Sequence, residues 1–175
     1  KLLIKKLLEK LNKINNFKKL YGLVSTKKQL DTIRNILKKN QNLKKKLIFG
    51  SIDLKKSNFI KPIIFCDLPE KNIINKKELF GPILSINSFD EINDAVNKTN
   101  SSKYGLSAVV CGKNKRNNIK VASRLNAGRI WINESVKVNF PSLPIGGYKE
   151  SGLNRESGTE GLRTYSEIKS VIIKN

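Results

Sequence analysis

In the segment Lys77-Glu78-Leu79-Phe80-Gly81-Pro82 a carboxylate and an aromatic ring stand two residues apart, just ahead of the apolar run Ile83-Leu84-Ser85-Ile86. Proline has no backbone donor and is tolerated at the first residue of a strand, and the glycine before it lets the chain turn. Extended or turn geometry at Glu78 and Phe80 throws both side chains to one side, about 6–7 Å apart along the chain. A carboxylate beside a flat apolar face suits a ligand that carries hydroxyls next to a ring. The plainer alternative is a surface glutamate and a core phenylalanine, and six residues alone favour it.

Other reactive groups are few. Cys66 and Cys111 lie far apart, each in an apolar, strand-like run. Buried apolar surroundings raise a thiol's pKa and leave it inert. The chain has no histidine, which excludes Ser-His and Cys-His catalysis and most zinc sites within it. No metal site is expected. The glycines of Pro144-Ile145-Gly146-Gly147-Tyr148-Lys149-Glu150-Ser151-Gly152 do not fit the Gly-x-Gly-x-x-Gly dinucleotide pattern. They fail the phosphate-loop pattern too, because Leu153-Asn154 follows Gly152 where Lys-Ser or Lys-Thr is required. Spacing alone makes this a tight turn with close backbone packing.

The 175 residues suffice for one domain with a real core. Lys and Arg number 35 against 14 Asp and Glu, a formal charge of +21, which raises nucleic acid or an anionic membrane as a partner. The arrangement argues against both. Lysines are spread among Asn and Ile, clusters such as Lys44-Lys45-Lys46 are short, and no aromatic-interleaved basic patch appears. A coding bias toward Lys, Asn and Ile explains the balance. No window approaches 18 uninterrupted apolar residues and no signal-peptide core opens the chain. A soluble protein of the reducing cytoplasm is expected. The chain starts at Lys1-Leu2-Leu3-Ile4, already inside a helical pattern and without methionine or a capping residue, which reads as the tail of a longer protein.

The elements that must position these residues follow from periodicity. Leu3, Ile4, Leu7, Leu8, Leu11 and Ile14 predict a helix over 1–17 that lays one face on a core. Thr26 and Gln29 make a capping box for a helix carrying Leu30, Ile33, Ile36 and Leu37 toward Asn40. Short strands are predicted at 47–49, 59–65 (with Pro62 marking an edge or bulge) and 82–87, with a polar, turn-rich stretch at 51–58. Ser88 and Glu91 form a second capping box, for a helix ending near Asn100. The run 105–111 reads as a strand covered on both faces. A helix from about Lys115 turns Ile119, Val121, Ala122 and Leu125 inward, with Gly128 as its C-cap. Strand 129–133, an aperiodic loop over 134–152, a short helix near 159–165 and a final strand at 167–173 complete the chain. Strand, helix, strand, helix, strand predicts an α/β fold, mostly a parallel sheet with crossover helices. The last strand has no obvious neighbour and is expected to pair with another subunit.

Taken in order, Glu78-Leu79-Phe80-Gly81-Pro82, Tyr104-Gly105-Leu106-Ser107-Ala108, Ala127-Gly128-Arg129-Ile130-Trp131-Ile132-Asn133, Pro144-Ile145-Gly146-Gly147-Tyr148-Lys149, Arg155-Glu156 and Tyr165-Ser166-Glu167-Ile168-Lys169-Ser170-Val171 form a series. It resembles the C-terminal portion of the NAD(P)-dependent aldehyde dehydrogenase superfamily. The resemblance implies that 1–165 is the C-terminal part of the catalytic domain with its following helix, and 166–175 an oligomerisation strand. In that family a cysteine thiolate attacks the aldehyde, amide donors hold the oxyanion, hydride passes to the nicotinamide, and a glutamate-activated water frees the acid. Both the cysteine and that glutamate would lie upstream, so no catalytic residue is expected here; Cys66 and Cys111 occupy positions that the family fills with ordinary residues.

By resemblance, Glu78 would bond the hydroxyls of the nicotinamide ribose of NAD or NADP, and Phe80 would pack near the nicotinamide. The loop 134–145 would line the aldehyde entrance, with Phe140 and Ile145 facing a small-molecule aldehyde substrate. Ile145 replaces the phenylalanine usual before the glycine pair, and an aliphatic wall stacks less well on an aromatic substrate. A full-length enzyme is expected to be a homo-oligomer, dimer or tetramer, with the present chain inactive alone. Two rivals remain: a non-catalytic assembly module that pairs with a complete homologue, and a basic nucleic-acid binder.

Overall fold

Phe65 has no exposed surface, and the first part of the protein is built around it. The computed structural model describes residues 1–52, 57–134 and 140–174. The chain divides into two compact units, Lys1–Ser88 and Phe89–Asn175. In the first, Phe65 lies on β2 (Ile63–Cys66), the middle of three strands. β1 (Leu47–Phe49) pairs with it antiparallel and β3 (Ile83–Ile86) parallel, which sets Phe65 opposite Leu47 and Ser85. The strand expected from Phe59 begins only after Pro62. Proline cannot donate to a ladder; the bond is made by Ile63 N–H, donated to the Pro82 carbonyl at 2.9 Å.

Helix α2 (Lys27–Lys39) covers this sheet with Leu30, Ile33 and Leu37, which join Ile60, Ile63, Phe65, Leu68, Ile74 and Leu79 in one buried cluster. The spacing i, i+3, i+7 puts the three on one helical face. Thr26 caps it by accepting the Gln29 N–H at 3.2 Å. Helix α1 (Leu2–Asn12) departs from expectation twice. It stops at Asn12, and Asn16 then starts a separate 3-10 turn, Phe17–Lys19, by accepting the Lys18 N–H. Asparagine side chains compete for backbone groups and so favour ends over interiors. Nor is any α1 residue buried: Ile4, Leu7, Leu8 and Leu11 are half-covered, and Leu2 and Leu3 are exposed.

A short helix, α3 (Ile73–Lys76), links β2 to β3. The second unit follows with α4 (Ile92–Asn100), β4 (Tyr104–Gly105), β5 (Ser107–Val110), α5 (Lys115–Ala122), β6 (Arg129–Ile132), β7 (Tyr148–Lys149) and α6 (Gly158–Arg163). β5 and β6 are parallel, joined by α5 as crossover, while β4 and β7 are antiparallel. The α/β character and the parallel pairs are present, but the described strands form three sheets and two of their four pairings are antiparallel, so they do not make one parallel sheet. The expected single strand at 105–111 is broken at Leu106, and β5 alternates exposed and half-buried residues, so it is not covered on both faces.

Two further expectations for α5 are corrected. The inward residue of its middle turn is Asn118, not Ile119, which is exposed. Positions 118, 121, 122 and 125 fall at i, i+3, i+4 and i+7, a single face from which 119 lies one residue off. Gly128 is not the cap either, since α5 ends at Ala122. A Cβ at Gly128 would fall 1.6 Å from the Gly146 carbonyl oxygen, so glycine is required there for close approach. Beyond α6, residues 166–174 form no strand among the described residues, and Ile168, Val171, Ile172 and Ile173 are exposed. A strand needs a neighbour to occupy its backbone donors and acceptors. No described helix is long and apolar enough to cross a membrane.

Phe65→Ala should lower the unfolding free energy by about 3–5 kcal/mol, measured as a reduced urea midpoint. A loss below about 1 kcal/mol would contradict the position of the core.

Candidate functional site

The segment that carries Glu78 and Phe80 is fixed from behind before its side chains are considered. Asn72 caps α3 by accepting the Ile74 N–H at 2.9 Å, and its amide donates to Asn40 Oδ1 at the buried end of α2. Asn75 donates to the Pro69 carbonyl at 2.9 Å and accepts from Ser85 Oγ at 2.6 Å and Asn87 Nδ2 at 3.2 Å, tying α3 to the strand that follows the segment. Leu79 is 7% exposed and belongs to the core cluster. Its carbonyl accepts a hydrogen bond from the Gln29 side-chain amide of α2. A Cβ at Gly81 would come within 2.7 Å of Ile33 Cδ1, so the turn lies directly on α2.

With Leu79 anchored inward, its neighbours face out. Glu78 is exposed, and the Phe80 ring is 73% exposed. The alternative of a core phenylalanine is therefore overturned. Phe80 also has φ +46°, a left-handed conformation that costs an L-residue roughly 1–2 kcal/mol. Such strain persists only where the surroundings over-determine the backbone, and it concentrates at functional positions. Here Leu79 on one side and Gly81-Pro82 on the other supply the constraint. The result is a carboxylate and an uncovered ring on a rigid support.

At the far ends of β2 and β3, Asp67 Oδ1 accepts both the N–H and the hydroxyl of Ser88 at 2.8 Å, and Oδ2 accepts from Cys66 Sγ at 3.3 Å. These bonds, Ser88 N–H first, hold the Asp67 carboxyl below the usual range. The cap position of α4 is Glu91, without a side-chain bond, and not Ser88 as expected. Burial, then the bond to Asp67, pushes the half-buried Cys66 thiol up. A thiol held protonated is a poor nucleophile. Cys111, expected inside a buried strand, is exposed just past the end of β5.

Phe140 and Ile145 belong to the second unit. Phe140 is exposed, and its carbonyl accepts the Leu143 N–H at 2.9 Å in a turn. Ile145 is half-buried and exchanges both backbone hydrogen bonds with Glu156, at 2.8 and 2.7 Å. Residues 135–139 of the expected entrance loop lie outside the described residues, as do 53–56 of the turn-rich stretch before β2. Arg129 Nη2 donates to the carbonyls of Leu143 and Pro144, and Arg155 Nη1 to those of Gly147 and Asn154. A Cβ at Gly147 would fall 2.3 Å from the backbone of Ser151, so the glycine pair does make a tight turn. Sequence reasoning missed the roles of Gln29, Arg129 and Asp67. Gln29 was accounted for by its capping position. A charged residue opening an otherwise apolar strand was the available signal for Arg129.

The aldehyde dehydrogenase family profile matches residues 2–171. A Staphylococcus aureus protein that bears the aldehyde dehydrogenase name provisionally is 36% identical over 154 residues, 86% of this chain and 32% of that protein. Among solved structures, the NAD-dependent aldehyde dehydrogenase of Sinorhizobium meliloti superimposes with a TM-score of 0.86 at 30% identity, over 96% of this chain and 34% of that one. The Mycobacterium tuberculosis aldehyde dehydrogenase in complex with NAD+ gives 0.78 at 32% identity, over 87% and 32%. The chain thus spans about a third of the length of the curated relatives it matches.

Two outcomes follow from the anchoring. Gln29→Ala strips the Leu79 carbonyl of its donor and should cost about 1–3 kcal/mol; hydrogen exchange should show faster opening of the 79–83 backbone, and unchanged exchange would refute the anchor. Because the folded pKa of Asp67 is lowered, its stabilisation is present above the unfolded value, about 3.9, and is lost as pH falls through the folded one. Asp67→Asn should therefore flatten the stability curve below about pH 4. An unchanged acid limb would count against the Ser88 bonds.

Proposed function

The chain belongs to the aldehyde dehydrogenase family, and from that premise we propose that it is the C-terminal part of an oxidoreductase that converts an aldehyde to a carboxylic acid with NAD or NADP. The observation that carries this reading is the exposed Glu78–Phe80 pair on a backbone fixed by buried Leu79. A carboxylate offers acceptors to two neighbouring hydroxyls, and an uncovered ring offers an apolar face to a planar base. That pair of groups fits the ribose and nicotinamide end of the coenzyme, which when bound supplies the hydride acceptor. Glu78 would orient the ribose, and Phe80 would limit how far the ring can swing. Phe140 and Ile145 would form part of the aldehyde-facing wall. The nucleophilic cysteine and general-base glutamate would come from the portion of the relatives that this chain does not span. The half-buried, protonated Cys66 gives no support to an alternative nucleophile here.

The exposed apolar run Ile168, Val171, Ile172 and Ile173 supports an oligomerisation role for 166–175, by pairing with a strand of another subunit. The same run favours a second reading, in which the chain is a non-catalytic module that docks on a complete homologue. A cytoplasmic location completes the proposal.

Purified alone, the chain should not turn over aldehydes with NAD or NADP. Turnover that survives Cys66→Ala and Cys111→Ala would refute the assignment. In a full-length protein carrying this chain, Glu78→Gln should raise KM for the coenzyme by roughly 10–100-fold, the worth of hydrogen bonds to a charged group. An unchanged coenzyme KM would remove Glu78 from the site. Size-exclusion with the full-length protein should separate the second reading: a mixed oligomer supports docking, and a persistent monomer excludes it.

A further inference from the structure

Ile145, the candidate substrate wall, has a backbone held from three sides. Its N–H and carbonyl are both bonded to Glu156, at 2.8 and 2.7 Å. Immediately upstream, Arg129 Nη2 donates to the Leu143 carbonyl at 2.9 Å and the Pro144 carbonyl at 3.2 Å. Pro144 has its own φ fixed by its ring. Immediately downstream, the Gly146 carbonyl presses on Gly128, where a Cβ would fall 1.6 Å from it. Arg129 itself opens β6 and is registered opposite Ser107 of β5, so its guanidinium is delivered from a paired strand. Its guanidinium carbon lies 5.9 Å from the centre of the Trp131 ring. Charge-assisted bonds from a planar fork hold direction as well as distance, which a flexible ammonium does not.

An apolar wall discriminates between substrates only as far as it refuses to yield. We propose that Arg129 is a positioning residue for aldehyde selection: by holding the Leu143 and Pro144 carbonyls it keeps Ile145 a rigid aliphatic wall against which the bulk of the substrate is measured. The proposal rests on the reading of Ile145 as substrate-facing. The substrates favoured are aldehydes with slender aliphatic chains, and those selected against carry bulk or a ring near the carbonyl. Arg129 touches neither substrate nor coenzyme in this role and acts through the backbone of residues 143–145.

The test compares Arg129→Lys and Ile145→Ala in a full-length protein carrying this chain, with hexanal and benzaldehyde as substrates and the coenzyme KM as control. Both variants should relax the hexanal-to-benzaldehyde ratio of kcat/KM in the same direction, on the order of tenfold, with the coenzyme KM unchanged. If Ile145→Ala shifts the ratio while Arg129→Lys lowers both substrates equally, Arg129 is merely structural; the proposal is then overturned and the reading of Ile145 stands. If Ile145→Ala leaves the ratio unchanged, Ile145 does not face the substrate and both fall. Should Arg129→Lys fail to fold, Arg129→Met, which keeps the stem beside Trp131 and loses the donors, is read by the same ratio and the same criteria.

Discussion

One hydrogen bond joins the Gln29 amide to the Leu79 carbonyl across 50 residues of sequence, and the candidate site depends on it. Burial of the Leu79 side chain sets which way the segment faces, and the Gln29 bond sets its depth against α2. Glu78 and Phe80 then stand exposed on either side of it, while Leu79 alone turns into the core. The strain at Phe80 follows from the same constraint. A backbone held at Leu79 and turned at Gly81-Pro82 leaves the residue between them little choice of φ. An uncovered ring in a left-handed conformation contributes nothing to the core, so on the proposed reading its return lies in what it binds.

The second unit is held by a different means. Among its described apolar residues only Val96 is buried, and side-chain bonds to backbone groups carry much of the order. Asn133, at φ +53°, accepts from Gly112 N–H and donates to Gly112 carbonyl, extending the β5–β6 ladder by one step beyond its last backbone pair. Asn118 donates to the same carbonyl from α5. Lys149 Nζ caps the end of α4 by donating to the carbonyls of Asn100 and Ser102, where a cation is also favoured by the helix dipole. These bonds bring strand ends, helix ends and the glycine turn into register without a large apolar core.

Much of this was legible in the sequence, and the failures share a physical pattern. Thr26 announced α2 and the β5–α5–β6 crossover followed from periodicity, whereas Pro62, read as an edge or bulge inside a strand from Phe59, instead precedes a central strand that starts at Ile63. Errors arose where a polar residue does a core residue's work or a small one serves an unforeseen end. Asn118 was passed over for Ile119 because hydropathy hid the true helical face. Gly128 was read as a helix terminus because close approach of a distant carbonyl leaves no local trace. Ser88 was given to a cap, but α4 starts later, with Glu91 at its cap position. The apolar run at 105–111 suggested one strand covered on both faces, but a run cannot reveal whether a neighbour exists on each side. At the site, the Glu78–Phe80 spacing was visible; that the ring would be exposed and strained required Leu79 to be seen in the core.

The central claim is that Glu78 and Phe80 grip the sugar and base of a nicotinamide coenzyme. A crystal structure of a full-length protein carrying this chain, with NAD bound, tests it most directly. The account predicts a Glu78 carboxylate oxygen within about 2.5–3.0 Å of the nicotinamide ribose hydroxyls, and the Phe80 ring against the nicotinamide. A coenzyme seated with its ribose bonded elsewhere, and Glu78 left to solvent, would contradict it.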